Sequence, residues 1–234
     1  MHYTLTIALL LLTAFQSMGQ DVLEKQLSPF SELSISGRFL VHLTQGDDYS
    51  ITVTNNDEYI KTDRIKFILS GERLTIKYDG SALLRAYDVV FKISVPNLNL
   101  IEAKMGAEIN IDKSFSFTAS PLLLKVQAGG LLELPHLDIP WVRAKVAQGG
   151  SISLTGKASL AEFEIQMGGF IYAEHLITSK INAKVHLGGE INCHAEEILQ
   201  AELFSGGYIG YHGNPTISQD IKIGGTLQQL SLKK

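Results

Sequence analysis

Glu174, His194 and His212 each stand five residues after a Gly-Gly pair. Two imidazoles and a carboxylate are a workable zinc set. If the three positions stack in successive turns of chain, their backbones lie about 4.8 Å apart. The outer two would then have to lean inward across nearly twice that distance. A solvated polar row needs no such reach and is the competing reading. The single cysteine, Cys193, adjoins this row; one cysteine excludes an internal disulfide and any multi-cysteine metal site. No resident cofactor is expected, and Glu174, His194 and His212 are the one candidate set for a metal. Carboxylate chemistry has a comparable difficulty. Glycoside hydrolysis places two carboxylates about 5–10 Å apart, and Glu162 and Glu164 share a strand face at about 7 Å. Lys145 and Lys184, however, flank Glu164 once the repeat is aligned, as in a salt-bridged exterior. The sequence contains no Gly-x-Ser-x-Gly elbow and no His-Glu-x-x-His, so no catalytic residue is assigned and the chain is read as non-enzymatic. The acidic turns QGDD (45–48) and NNDE (55–58) lack EF-hand spacing and read as hairpin turns.

A second constellation suits binding. Phe170, Tyr172, Phe204 and Tyr208 occupy positions read as outward, with His186 among them. Exposed aromatics on a flat β-face suit stacking on sugar rings or packing against a partner. Cover by the N-terminal region or by a second molecule is the competing reading. These five are the candidate binding residues.

The elements that must position these side chains are set by a repeat. Gly-Gly pairs occur at 129–130, 149–150, 168–169, 188–189, 206–207 and 224–225, with first glycines 20, 19, 20, 18 and 18 residues apart. Periods near 20 mark a stacked repeat. Three residues before each pair stand Val126, Val146, Ile165, Val185, Leu203 and Ile221. Two after it stand Leu132, Ile152, Ile171, Ile191, Ile209 and Leu227. Alternate positions between such columns are mostly polar, the period-two mark of half-buried strands. A strand of five to seven residues cannot bury its apolar face alone, but stacked copies can. The expected fold is all-β: a single-stranded parallel β-helix, or β-solenoid, with coils of about 19 residues cornered by glycine pairs. A phosphate cradle would instead need one glycine-rich loop opening a helix.

Upstream, IEAKMGAEINID (101–112) reads as a degenerate coil with Gly106-Ala107 in place of the pair. Residues 30–95 are β-rich without that period. Strands are expected in LSISGRFLVHLTQGDD (33–48), YSITVTN (49–55) and DVVFKISVP (88–96), with a hairpin in IKFILSGERLTIKY (65–78). LTIALLLLTAF (5–15) has the length of a signal h-region, is too short to span a bilayer, and is followed by the small residues of SMG (17–19). No Lys or Arg precedes Lys25, so the usual basic n-region is missing. The expected organisation is a leader over 1–19, a capping β-rich region over 20–98 and the solenoid over 99–234, with 20–234 also countable as one domain. Lys233 and Lys234 place charge beside the last strand, a device against edge pairing. With 20 basic and 24 acidic residues the net charge is −4, which gives no electrostatic case for nucleic acid.

The segments ISGRFLVHLTQGD, FILSGERLTIKY and ISVPNLNLIEAKMGAEI, followed by the G-G-x-I coils, together resemble the auto-transporter adhesin "head GIN" domain family over roughly residues 30–230. That resemblance implies an exported bacterial envelope protein with a β-helical fold and no agreed catalytic residues. The function expected is an adhesin-like or structural envelope protein, periplasmic or at the cell surface, with a glycan or an envelope protein as partner. The alternative is a carbohydrate-binding or carbohydrate-cleaving β-helix.

Overall fold

A computed structural model of the chain describes residues 21–56, 60–79 and 88–231. The leader at 1–19, Lys233 and Lys234, and residues 57–58 of the second acidic turn lie outside these. The strands are β1 (Asp21–Gln26), β2 (Glu32–Ser36), β3 (Leu40–Gln45), β4 (Ser50–Asn55), β5 (Ile65–Ser70), β6 (Arg73–Tyr78), β7 (Val89–Val95), β8 (Leu100–Lys104) and β9 (Glu108–Ile111). They continue with β10 (Leu122–Gln127), β11 (Leu131–Ala147), β12 (Ser151–Met167), β13 (Phe170–Leu187), β14 (Glu190–Ser205), β15 (Tyr208–His212), β16 (Thr216–Ile223) and β17 (Thr226–Gln229). Among the described residues no helix is long and apolar enough to cross a membrane.

The strands stack into the expected parallel β-solenoid. One face carries the strands that enter each corner: β10, then the second halves of β11 to β14, then β16, all parallel. The other carries the strands that leave it: the first halves of β11 to β14, then β15 and β17, again parallel. The columns read from the sequence are ladders in register, such as Val146–Ile165–Val185–Leu203. All four are buried. A short third side over residues 137–139, 156–158 and 176–178 closes the coil and buries Leu137, Ile139, Leu176 and Thr178. The Thr178 hydroxyl is satisfied there by donating to the Leu176 carbonyl at 3.1 Å.

The N-terminal strands belong to the same ladders, in an order the sequence does not run in. On the entering face β8 pairs with β10 on one side and β2 on the other, and β2 pairs with β6. On the leaving face β9 pairs with β11 and β3, and β3 pairs with β7. The coil made of β2 and β3 thus lies between the coil of β6 and β7 and the coil of β8 and β9. The degenerate coil at 101–112 is therefore real, with its corner at Met105-Gly106. Beyond β6 and β7 the strands turn antiparallel. The β5–β6 hairpin bends at Gly71, and β4 and β1 continue the other face.

The two glycines of a pair do different work, best seen at 149–150. Gly149 has φ +78° and open space where a Cβ would stand. Gly150 has φ +101°, and a Cβ there would come within 2.4 Å of the Gly130 carbonyl oxygen and 2.5 Å of Val126 Cγ1. The first glycine supplies a left-handed turn. The second lets one coil lie directly on the last, which keeps the ladder unbroken through the bend: the Ser151 N–H donates to the Gly130 carbonyl at 3.0 Å.

In one respect the core differs from the sequence reading. The inward columns of the sequence run through the sixth coil, yet Ile217 and Ile221 are each 39% exposed, whereas Leu199 and Leu203, one coil below, are buried. Burial in a solenoid needs a coil on both sides, and among the described residues nothing stacks over β16.

Candidate binding surface

The solenoid corner decides how the predicted aromatic patch is divided. Phe170, Tyr172 and Tyr208 project from the leaving face, and His186 and Phe204 from the entering face. Each group is built by alternation. Phe170 and Tyr172 are two residues apart on one strand, and their rings stack at 5.6 Å between centroids with a 6° interplanar angle. Phe170, Glu190 and Tyr208 occupy one ladder, so Glu190 separates Tyr208 from the stacked pair. The Tyr208 hydroxyl donates to Gln228 Oε1 at 3.3 Å. His186 and Phe204 are ladder partners whose rings stack at 4.8 Å and 2°. His186 Nε2 also lies 3.6 Å from Glu164 Oε1.

The five residues therefore form two clusters flanking one ridge rather than a single flat patch. The ridge carries residues that the sequence reading passed over. Met167, Leu187, Ser205 and Ile223 stand immediately before successive glycine pairs and are ladder partners. Met167 is 47% exposed, Leu187 55% and Ile223 73%. With Phe170 at 42% and Phe204 at 36%, they make an apolar strip along the corner. The signal available was partial: the position before the pairs, which cannot point inward, holds Met167, Leu187 and Ile223 but also Ala128, Gln148 and Ser205.

The Tyr172 hydroxyl holds its proton above the ordinary phenol range, first through burial and then through the charges of Glu190 and Glu174. It is thus a neutral donor beside the ridge at any physiological pH.

The metal candidate does not assemble. His194 and His212 are ladder partners with centroids 6.1 Å apart. A bulge between Ala173 and Ile177 breaks the register just where Glu174 would have joined them. Among the described residues no three His, Cys, Asp or Glu side chains could hold a metal ion.

The carboxylates of the entering face are engaged by cations. Arg143 Nη2 lies 2.7 Å from Glu162 Oε2, and Lys145 Nζ lies 3.0 Å from Glu164 Oε1. Glu162 in turn holds the Arg143 guanidinium above its ordinary range through their hydrogen bond. Lys184 flanks Glu164 in the ladder as expected, but its ammonium pairs with Glu202 at 2.8 Å. In the first acidic turn the Gln45 side chain donates to the Pro96 carbonyl at 2.9 Å. In the second, the buried Asn55 side chain donates to the Ile60 carbonyl at 2.6 Å.

Cys193 is fully buried in the inward ladder between Ala173 and Tyr211. Burial first, and the Glu174 charge second, push its thiol from about 9 up to about 12. The folded protein should resist iodoacetamide at pH 8 and label fully in denaturant, because the thiolate is the nucleophile. A thiol held protonated in the fold also sets a sign. The unfolded chain ionises from about pH 9 while the folded one does not until about 12, so stability falls as pH rises through that window. Cys193→Val should lessen this alkaline loss in denaturant titrations.

Comparison with known proteins agrees with the fold. A family model described as putative auto-transporter adhesin, head GIN domain, matches residues 29–215. The crystal structure of a putative adhesin from Bacteroides fragilis superposes with a TM-score of 0.71 at 22% identity, covering 92% of this chain and 98% of that one. A putative lipid binding protein from Parabacteroides distasonis gives 0.70 at 19%, with the same coverage. A putative adhesin from Parabacteroides merdae gives 0.64 at 16%, again covering 92% and 98%. Among curated proteins no match was found.

Proposed function

The chain belongs to the putative auto-transporter adhesin, head GIN domain family, and on that premise we propose that it is an exported, non-enzymatic protein of the bacterial envelope that works by offering a surface. The docking surface is the corner ridge, with Phe170 and Tyr172 on one flank and His186 and Phe204 on the other. The observation that carries this reading is the exposed apolar strip of Met167, Leu187, Phe170 and Phe204 beside the charge-paired entering face. Contiguous apolar surface on a soluble protein marks interaction sites. The rigid solenoid beneath holds these side chains in place, which lowers the ordering cost of docking. Salt-bridged Glu162 and Glu164 support the non-enzymatic part, since each carboxylate is already committed to a cation.

A glycan partner is a second reading, favoured by the coplanar Phe170–Tyr172 pair, whose faces suit sugar rings. An apolar ridge also suits a lipid, and one structural neighbour is a putative lipid binding protein. One set of variants serves all three. Phe170→Ala with Tyr172→Ala, and His186→Ala with Phe204→Ala, should each weaken binding to envelope preparations, immobilised polysaccharides or vesicles at least tenfold. Melting temperature should change little, because none of the four lies in the core. Binding by both double variants equal to the parent would remove the ridge as the site. Release of reducing ends from any polysaccharide would instead establish cleavage. Cell fractionation that finds the mature chain only in the cytoplasm would end the export reading.

A further inference from the structure

The two ends of the solenoid are built differently. At the N-terminal end, antiparallel β5 follows β6 on one face and β4 and β1 follow β7 on the other; Ile60 and Ile65 are buried and Phe67 packs edge-on against the buried Phe91 at 6.5 Å, while Leu23 and Leu69 on the outermost strands stay exposed. At the C-terminal end, among the described residues, β16 pairs only with β14, and β17 only with β15. Every residue of β16 is exposed, including Ile217 and Ile221, which stand in core columns. Edges of this kind are ordinarily blunted by proline, a bulge or an inward charge. The strand Thr216-Ile-Ser-Gln-Asp-Ile-Lys-Ile223 has no proline, a regular register with β14 from Thr216 to Ile221, and only Gln219 as an inward polar group.

We propose that the C-terminal end is a self-association surface, on which a second copy of this chain docks tail to tail about a two-fold axis. Three features select that occupant. First, there are two open edges, β16 and β17, on opposite sides of one core. A partner must present two matching edges at the same separation, and another C-terminal coil does so. Second, the N-terminal end is stepped: one strand, β5, lies beyond β6 on the entering face, and two, β4 and β1, lie beyond β7 on the leaving face, so its two edges are not level and head-to-tail stacking could match one edge at a time. Third, the edge is self-complementary in charge. An axis perpendicular to both faces sets β16 antiparallel to its copy and β17 antiparallel to its copy. With Ile221 opposite Ile221, Asp220 meets the partner's Lys222 and Lys222 meets the partner's Asp220. Within one chain these two side chains already pair at 2.8 Å on the outer face, so the interface extends an existing pair into a four-charge cluster. The surface is separate from the corner ridge except at Ile223, so either can fail without the other.

Sedimentation equilibrium or light scattering across the micromolar range tests it. The parent protein should approach twice the monomer mass of 25.7 kDa, less any leader removed. Asp220→Lys sets like charges across the axis and should weaken association at least tenfold. Adding Lys222→Asp restores opposite charges and should restore the dimer, a rescue that a merely local structural effect would not give. Ile217→Lys with Ile221→Lys should give a monomer with little loss of secondary structure by circular dichroism. A parent that stays monomeric throughout, an open-ended series of masses, or a dimer unmoved by both Asp220→Lys and the isoleucine pair would each overturn the proposal.

Discussion

Gly150→Ala is expected to cost about 3–5 kcal/mol, whereas Gly149→Ala, one residue earlier, should cost about 1–2 kcal/mol. Both glycines have positive φ, so backbone preference alone would penalise them similarly. The difference lies in what the new methyl meets. At 149 it enters open space. At 150 it meets the Gly130 carbonyl oxygen at 2.4 Å and Val126 Cγ1 at 2.5 Å, well inside contact distance. That carbonyl accepts the Ser151 N–H, so it cannot withdraw without breaking the ladder through the corner. The site is also internal to the stack, where a displaced coil disturbs neighbours on both sides. For a domain of this length the two variants should melt lower by about 2–4 °C per kcal/mol. Thermal unfolding of the pair, checked by urea midpoints, should therefore separate them by several degrees. Equal losses would mean that the second glycine is needed only for its torsion angle and not for close approach.

The solenoid was legible because its constraints repeat. A strand buried on one face must alternate, and a corner that admits no Cβ must be glycine, so both appear as columns at every turn. The places where the sequence misled are places where burial or pairing depends on something that does not repeat. Ile217 and Ile221 carry the same signal as Leu199 and Leu203, but a core column is buried only if a further coil lies on top. The coil of β2 and β3 has Gly37-Arg38 at its corner instead of a glycine pair, and it lies between coils that come later in the chain. Nothing in a run of local alternation records such an order. Glu174 left the ladder of His194 and His212 because of a bulge after Ala173, and a three-residue shift in one coil is invisible in an alignment made on the glycines. Lys184 chose Glu202 over Glu164 although both are ladder neighbours, since Glu164 already holds Lys145 and accepts from Gln166 at 3.2 Å. The aromatic residues were correctly placed outside. Their division by the corner was not read, because the entering and leaving strands were treated as one surface.

Phe163→Ala is expected to destabilise the protein by about 3–5 kcal/mol, and the ladder explains why the loss should sit at the high end. Phe163 is the one aromatic among Leu124, Ala144, Ala183 and Ala201 in its column, and it is fully buried with Ala144 and Ala183 directly below and above. Two small residues leave the volume that the ring fills, so removing the ring joins three alanines into one void. A parallel stack cannot close that void locally, because each strand is fixed at the ladder spacing by hydrogen bonds to both neighbours. The same geometry makes the reverse change informative. Ala183→Phe alone should overpack the column against Phe163 and cost about 1–3 kcal/mol. With Phe163→Ala in the same chain, the new ring gains the vacated space from one coil away. The double variant should then be more stable than the sum of the single losses predicts, by about 0.5–3 kcal/mol of coupling. Denaturant midpoints of the four proteins measure that coupling directly. Strict additivity would show that the coils pack independently, and the large–small alternation along the column would then be a coincidence of composition.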